Sequence, residues 1–197
     1  MSTDPSDRQL RADARRNRER VLAAADALFA EVGLKAGVEE IAQRAGVGVG
    51  TVCRNFPTKE VLIAELVNAR GEALLAEAHR ALAEPDPGAA FERFVAVAAT
   101  SSARYRALAE EIASGEVPVR EGLRCEVHDA LEQLVRRAQQ AGALRCDVTA
   151  GDIKLLLSGL AQATVAAGDE ASLDRFVRVV LDGLRPAAAA PGVRRKR

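Results

Sequence analysis

The sequence predicts an all-α protein: a small N-terminal unit of short helices followed by a larger helical body, about nine helices in all. Apolar residues recur at three- and four-residue spacing through most of the chain, with Gly and Pro between these stretches. No segment alternates apolar and polar residues as a half-buried strand would, and no internal repeat is present. At 197 residues and 48% hydrophobic content, the chain can build a core without disulfide or metal staples. Aromatics make up 3% and Trp is absent, so that core is mostly aliphatic.

Residues 1–14 are polar, Arg-rich and without an apolar stripe, which predicts a flexible basic arm. From Asn17, the residues Val21, Leu22, Ala25, Leu28, Phe29 and Val32 share one helical face, and Gly33 stops the helix. A short helix from Val38 to Ala45 has Val38, Ile41, Ala42 and Ala45 as its core face. Gly46-Val47-Gly48 turns the chain into a third short helix, Val49 to Phe56, anchored by Val52 and Phe56. Pro57 and Thr58 open a long helix, with Thr58 as N-cap and Val61, Leu62, Leu66 and Leu74 along it.

Pro85-Asp86-Pro87 is the clearest break in the chain. Beyond it the pattern predicts helices near 88–101, 103–113, 118–141, 150–167 and 171–184. Thr149 with Asp152 has the spacing of a capping box, and Gly168 ends the penultimate helix. The tail from Pro186 is rich in Ala and Pro and then basic, a composition that predicts disorder.

The formal net charge of zero conceals a segregation. Residues 8–59 hold 10 Lys/Arg against 6 Asp/Glu, whereas residues 60–185 hold 14 against 20. Such a chain can turn its basic front to phosphate while its acidic body is repelled by it. Cys53, Cys125 and Cys146 are odd in number and show no framework spacing, and no signal peptide is seen. Reduced thiols in the cytoplasm are therefore expected. No apolar run approaches the roughly 18–20 residues that cross a bilayer, so no membrane partner is expected.

The segment Gly37 to Phe56 is the most informative. Two helices this short cannot bury their apolar stripes alone and must share a core with the helix before them. Ala42 is small where they cross, Gly46 permits the left-handed backbone of a tight turn, and Ile41, Val47, Val52 and Phe56 supply the mutual core. This is the pattern of a helix-turn-helix, and its second helix leaves Val49, Gly50, Thr51, Cys53, Arg54 and Asn55 for the major groove of duplex DNA. Arg54 is equipped to read a guanine edge, while Thr51 and Asn55 suit phosphate or base edges. Lys59 stands in the first turn of the next helix, where the dipole disfavours a cation by about 0.3–1 kcal/mol. A docked phosphate would reverse that penalty; a local pair with Glu60 is the simpler alternative.

Residues 15–74 resemble the DNA-binding domain of the TetR family of bacterial repressors. The matching stretches are Arg20 to Ala25 with Leu28-Phe29, then Glu39 to Ala42, Ala45 to Val47, Gly50 to Val52 and Asn55 to Glu60. The resemblance implies DNA contacts from Arg44 and Thr58 as well as those above. It also implies a helical ligand-binding and dimerisation region over residues 75–185, with residues 186–197 as a basic tail. Two departures stand out: Cys53 replaces a phosphate-touching Tyr, and Gly37 replaces the common Thr or Ser cap. Induction by the family's route implies an effector bound between helices 4–8, for which Phe91, Phe94, Tyr105, Leu108, Leu131, Leu156 and Gly159 are pocket candidates, although each could equally be core. The last two helices, with Leu155, Leu160, Val165, Phe176, Val177, Val180 and Leu181, are the expected homodimer interface.

Other signals have plainer readings. Gly46 to Gly50 follows a helix rather than a strand, which argues against a nucleotide loop. Cys125 and His128 offer half a metal site with no second half, and His79 reads as a solvated or capping residue. No metal or cofactor is called for, and no catalytic pairing supports an enzyme. The alternatives are a redox-responsive regulator using Cys53, or a dimeric ligand- or protein-binding module that has lost DNA binding.

Overall fold

A computed structural model of the chain describes residues 5–104, 120–167 and 170–186. Among these residues are eight α-helices and no strand: α1 (Pro5–Val32), α2 (Val38–Ala45), α3 (Val49–Asn55), α4 (Lys59–Leu82), α5 (Pro87–Arg104), α6 (Leu123–Gln140), α7 (Ala150–Ala167) and α8 (Glu170–Leu184). The helix expected near 103–113 falls almost wholly outside the described residues, as do Gly168 and the tail beyond Pro186.

Two compact units divide the chain, the first running to Gly71 and the second comprising Glu72–Arg104 and the residues from Gly122. In the first unit α1, α2, α3 and the start of α4 enclose Val21, Ala25, Phe29, Ile41, Ala42, Val52, Phe56, Leu62 and Leu66. Burying each of the larger side chains contributes about 1.5–3 kcal/mol. Ala24, Ala25, Ala42 and Ala45 keep the crossing helices close.

α1 begins at Pro5 rather than near Asn17, so residues 5–14 are helical and correct the expected flexible arm. Proline suits the first helical position because the N–H it lacks would have no intrahelical partner. Arg16 pairs with Asp13, and Arg15 approaches Glu19 at 3.9 Å. Pairs at these spacings add about 0.2–0.5 kcal/mol each and support helix where no apolar stripe does.

The second unit has its own core, with Phe91, Phe94, Val95, Leu131, Leu134, Leu144 and Ile153 at its centre. Its helix ends are closed by side chains. Asp86 accepts from the N–H groups of Gly88 (2.9 Å) and Ala89 (3.1 Å), capping α5 just ahead of Pro87. Thr149 and Asp152 form the expected reciprocal box: the Thr149 N–H reaches the Asp152 carboxylate at 2.8 Å and the Asp152 N–H reaches the Thr149 hydroxyl at 3.2 Å. Arg137 of α6 donates to the carbonyls of Leu82 and Glu84, closing the C-terminus of α4. α6 starts at Leu123, later than the expected 118, because Gly122 takes a left-handed φ of 81° immediately before it.

Candidate nucleic-acid interface

The helix-turn-helix is assembled from α2, the turn at Gly46 and α3. Gly37 has no side chain to cap α2, but its N–H donates to Glu40 at 2.8 Å, so the third helical residue takes over half of the capping. Glu39 and Glu40 also place negative charge at the positive end of the helix. Gly46 ends α2 with φ 63° and ψ 40°, and the Val47 N–H returns to the Ala42 carbonyl at 3.0 Å. A side chain is strained in that backbone region, and a Cβ there would stand 2.9 Å from Arg20 Nη2.

Arg20 is the residue that sequence reasoning missed. From α1 its guanidinium donates to Ala45 O (3.0 Å from Nε) and to Gly46 O (2.6 Å from Nη2), and it also reaches Asn17 Oδ1 at 3.3 Å. These carbonyls lie at the end of α2, where they lack helical partners. The available signal was an arginine immediately before the fully buried Val21 on a helix that must pack against the turn.

α3 buries Val52 and leaves Val49, Gly50, Cys53 and Arg54 exposed, with Thr51 and Asn55 half-buried. Arg54 lies back along its own helix, Nε donating to Gly50 O at 3.1 Å and Nη2 to Thr51 Oγ1 at 3.4 Å. Asn55 Nδ2 likewise donates to Thr51 O at 2.8 Å. Both are local bonds at the surface, which a base or phosphate partner can replace without breaking the core.

The remaining candidates have internal partners. Arg44 donates to Glu31 at 2.7 Å, and this bond raises its pKa. Thr58 accepts from the Val61 N–H at 3.3 Å and caps α4. The carboxyl of Glu60 is held below its ordinary range by its own backbone N–H and by the Thr58 hydroxyl, with Lys59 a lesser cause. Lys59 folds away from the helix start and donates to the carbonyls of Leu34 and Ala36 (3.1 Å for the latter), 5.8 Å from the centre of the Phe29 ring. These carbonyls already compensate the unfavourable dipole, a third account of the position of Lys59 beside the docked phosphate and the local pair with Glu60 that the sequence suggests.

In the second unit, Phe91, Phe94 and Leu131 are buried in the core, where a chain poor in aromatics uses them to fill volume. Leu156 and Gly159 are exposed on α7, and Tyr105 and Leu108 lie outside the described residues. An open cavity of 640 Å³ lies elsewhere, bounded by Gln139, Leu144, Cys146 and Gly183 among others.

The expected interface residues also divide. Leu155 is 72% exposed, but Leu160 and Val177 pack into the protomer's own core and are removed from a surface role. Phe176, Val180 and Leu181 are half-buried against that core, and the side chain of Val165 is not among those described. Exposed on these helices are Leu155, Leu156 and Gly159 of α7 and Val179, 65% exposed, of α8.

All three cysteines are free and exposed. Among the described residues, no three His, Cys, Asp or Glu side chains gather as a metal site would need, and no helix is long and apolar enough to cross a membrane.

Comparison with known proteins covers both units. The family of bacterial regulatory proteins typified by TetR matches residues 21–66, and the C-terminal domain of SbtR-like transcriptional regulators matches residues 86–186. A TetR regulatory protein from Mycobacterium vanbaalenii is 37% identical, over 90% of this chain and 99% of that one, with a TM-score of 0.68. A TetR regulator from Streptomyces coelicolor is 33% identical, over 87% and 99%, with a TM-score of 0.70. A γ-butyrolactone receptor shares the fold at 19% identity, over 89% and 91%, with a TM-score of 0.65. No protein of curated function matches the sequence.

Proposed function

The chain belongs to the TetR family of bacterial transcriptional regulators, and from that premise we propose that it is a cytoplasmic homodimeric repressor, released from a palindromic operator by a small-molecule effector. The observation behind this reading is the face of α3: Val49, Gly50, Thr51, Cys53, Arg54 and Asn55 lie on a short helix whose turn is gripped from behind by Arg20. A helix held so firmly at its start and so loosely engaged along its outer face suits insertion into the major groove. Arg54 is the base reader; Thr51 and Asn55 position the helix on phosphate or base edges. Thr58 and Lys59 have first duties within the protein and add backbone contacts only secondarily.

The second unit, with its own core, is where effector and partner copy are bound. Membership of a family of transcriptional regulators supports a chain that works by binding rather than turnover.

Sequencing the duplexes that the protein selects from a random pool tests the reading. The expected result is a palindrome with half-site centres about 10 base pairs apart or a multiple of that spacing. Arg54→Ala should relax one position of each half-site by about 1–3 kcal/mol, roughly 5- to 150-fold, while non-specific binding persists. A pool that shows no enrichment, or a variant with unchanged preference, would overturn it.

A further inference from the structure

We propose that the apolar edge of α3, Val49 with Cys53, reads the C5-methyl group of thymine, so that each operator half-site carries A·T pairs beside the position read by Arg54. This rests on the DNA-binding reading above and deepens it by naming the bases that face the part of α3 with no strong hydrogen-bonding side chain.

At about 100° per residue, Val49, Cys53, Gly50 and Arg54 fall in that order around an arc of roughly 140°. These four are the exposed residues of the helix, while buried Val52 and half-buried Thr51 and Asn55 fill the rest of its circumference. The exposed arc is chemically divided. At one edge Arg54 carries a fork of donors. At the other edge is Val49, 41% exposed. Cys53 lies one turn further along and about 40° around the helix. A free cysteine behaves as a small hydrophobe with only a weak donor, so the two residues together make an apolar edge. Gly50, between that edge and Arg54, adds no side chain, and a Cβ there would meet nothing within 4 Å.

The major groove of duplex DNA has one apolar group to match such an edge. Guanine presents two acceptors, cytosine a donor, and adenine a donor and an acceptor, whereas thymine presents a methyl beside its acceptor. Set against Val49 or Cys53, the polar groups of the first three would lose water and gain no partner. The thymine methyl loses nothing by leaving water and gains contact. Attraction and exclusion therefore act in the same direction. Cys53 is also where this chain departs from the family it resembles: it lacks the hydroxyl of the Tyr expected there, and it leaves less side chain between the helix backbone and the bases.

The test uses the full-length protein and the duplex it selects from a random pool. Each thymine in turn is replaced by deoxyuridine, which deletes the methyl and keeps every hydrogen-bonding group, and affinity is followed by fluorescence anisotropy at fixed salt. At one or two thymines of each half-site, affinity should fall about fourfold per methyl, the effect of withholding one buried carbon. The double variant Val49→Ala/Cys53→Ser should bind the thymine duplex more weakly and be indifferent to those replacements. Val32→Ala, which alters a valine 53% exposed on α1, should keep the wild-type response. Circular dichroism should show the helix content of both variants kept, since every altered residue is exposed. A selected duplex in which no thymine is sensitive overturns this inference and leaves the DNA-binding reading intact. Sensitivity that persists in the double variant assigns the methyl effect to duplex shape or to another residue, and the inference also fails. A pool without any enriched duplex overturns the DNA-binding reading, and this one with it.

Discussion

Arg20 and Lys59 use their charge in the same way, one from α1 and one from α4: each spends its donors on carbonyls at a chain turn some 23–26 residues away in sequence. Hydrogen bonds to charged groups contribute about 1.5–3 kcal/mol when sheltered and less when partly exposed, as these are. Arg20→Met keeps the aliphatic stem and removes the donors, so the free energy of urea unfolding should drop by about 1–2 kcal/mol. The amides of Val47 and Gly48 should exchange faster, because the turn is no longer clamped. Lys59→Met should destabilise by a similar amount in the absence of DNA. If unfolding without DNA were unchanged, the ammonium's main partner would be phosphate after all. The partnerships of both residues were illegible in the sequence, because a side-chain bond to a distant carbonyl leaves no periodic trace. Gly46 was legible, since a glycine between two short apolar stripes has few uses other than a left-handed turn.

At the scale of elements, periodicity identified most helices and local chemistry closed them. Asp86, Thr58, Thr149 and Asp152 cap where short polar residues next to apolar runs should. Thr149 donates to Asp152 from its hydroxyl and its backbone N–H, and both hold that carboxyl below the ordinary aspartate range. A depressed carboxylate pKa stabilises the fold above the unfolded value, about 3.9, and that contribution is lost as pH falls through the folded one. The thermal midpoint of the wild type should therefore exceed that of Asp152→Asn at pH 7, with the gap closing below about pH 4. A gap that persisted in acid would assign the difference to shape rather than charge. Two elements misled the sequence reading for opposite reasons. The start of α1 has no apolar stripe, so ion pairs and propensity made a helix that a hydrophobic pattern could not announce. α7 has too much apolar character: Leu155, Leu156 and Leu157 are consecutive, and only packing decides that Leu157 is buried and Leu155 is not.

At the scale of the whole molecule, the decisive question is which surfaces a second copy covers. A palindrome is read by two recognition helices about 34–36 Å apart, so a single protomer can engage only half of it. We propose α7 and α8 as that surface: Leu155 and Val179 are large and exposed on these two helices, and Gly159 and Gly183 would meet nothing within 4 Å if given a Cβ. Apolar faces with small residues beside them pack as helix pairs in a symmetric bundle. Leu155→Glu with Val179→Glu places two like charges on that face while leaving the protomer core, built on Ile153, Leu157, Leu160 and Val177, untouched. The variant should keep its helical circular dichroism and sediment as a monomer at micromolar concentration. Its affinity for the selected palindrome should fall by about 10²–10⁴, the gain that a tethered second site supplies, while affinity for an isolated half-site stays near the wild-type value. A variant that still sediments as a dimer would place the interface elsewhere. A monomer that kept full palindrome affinity would break the link between pairing and reading on which a two-fold operator depends.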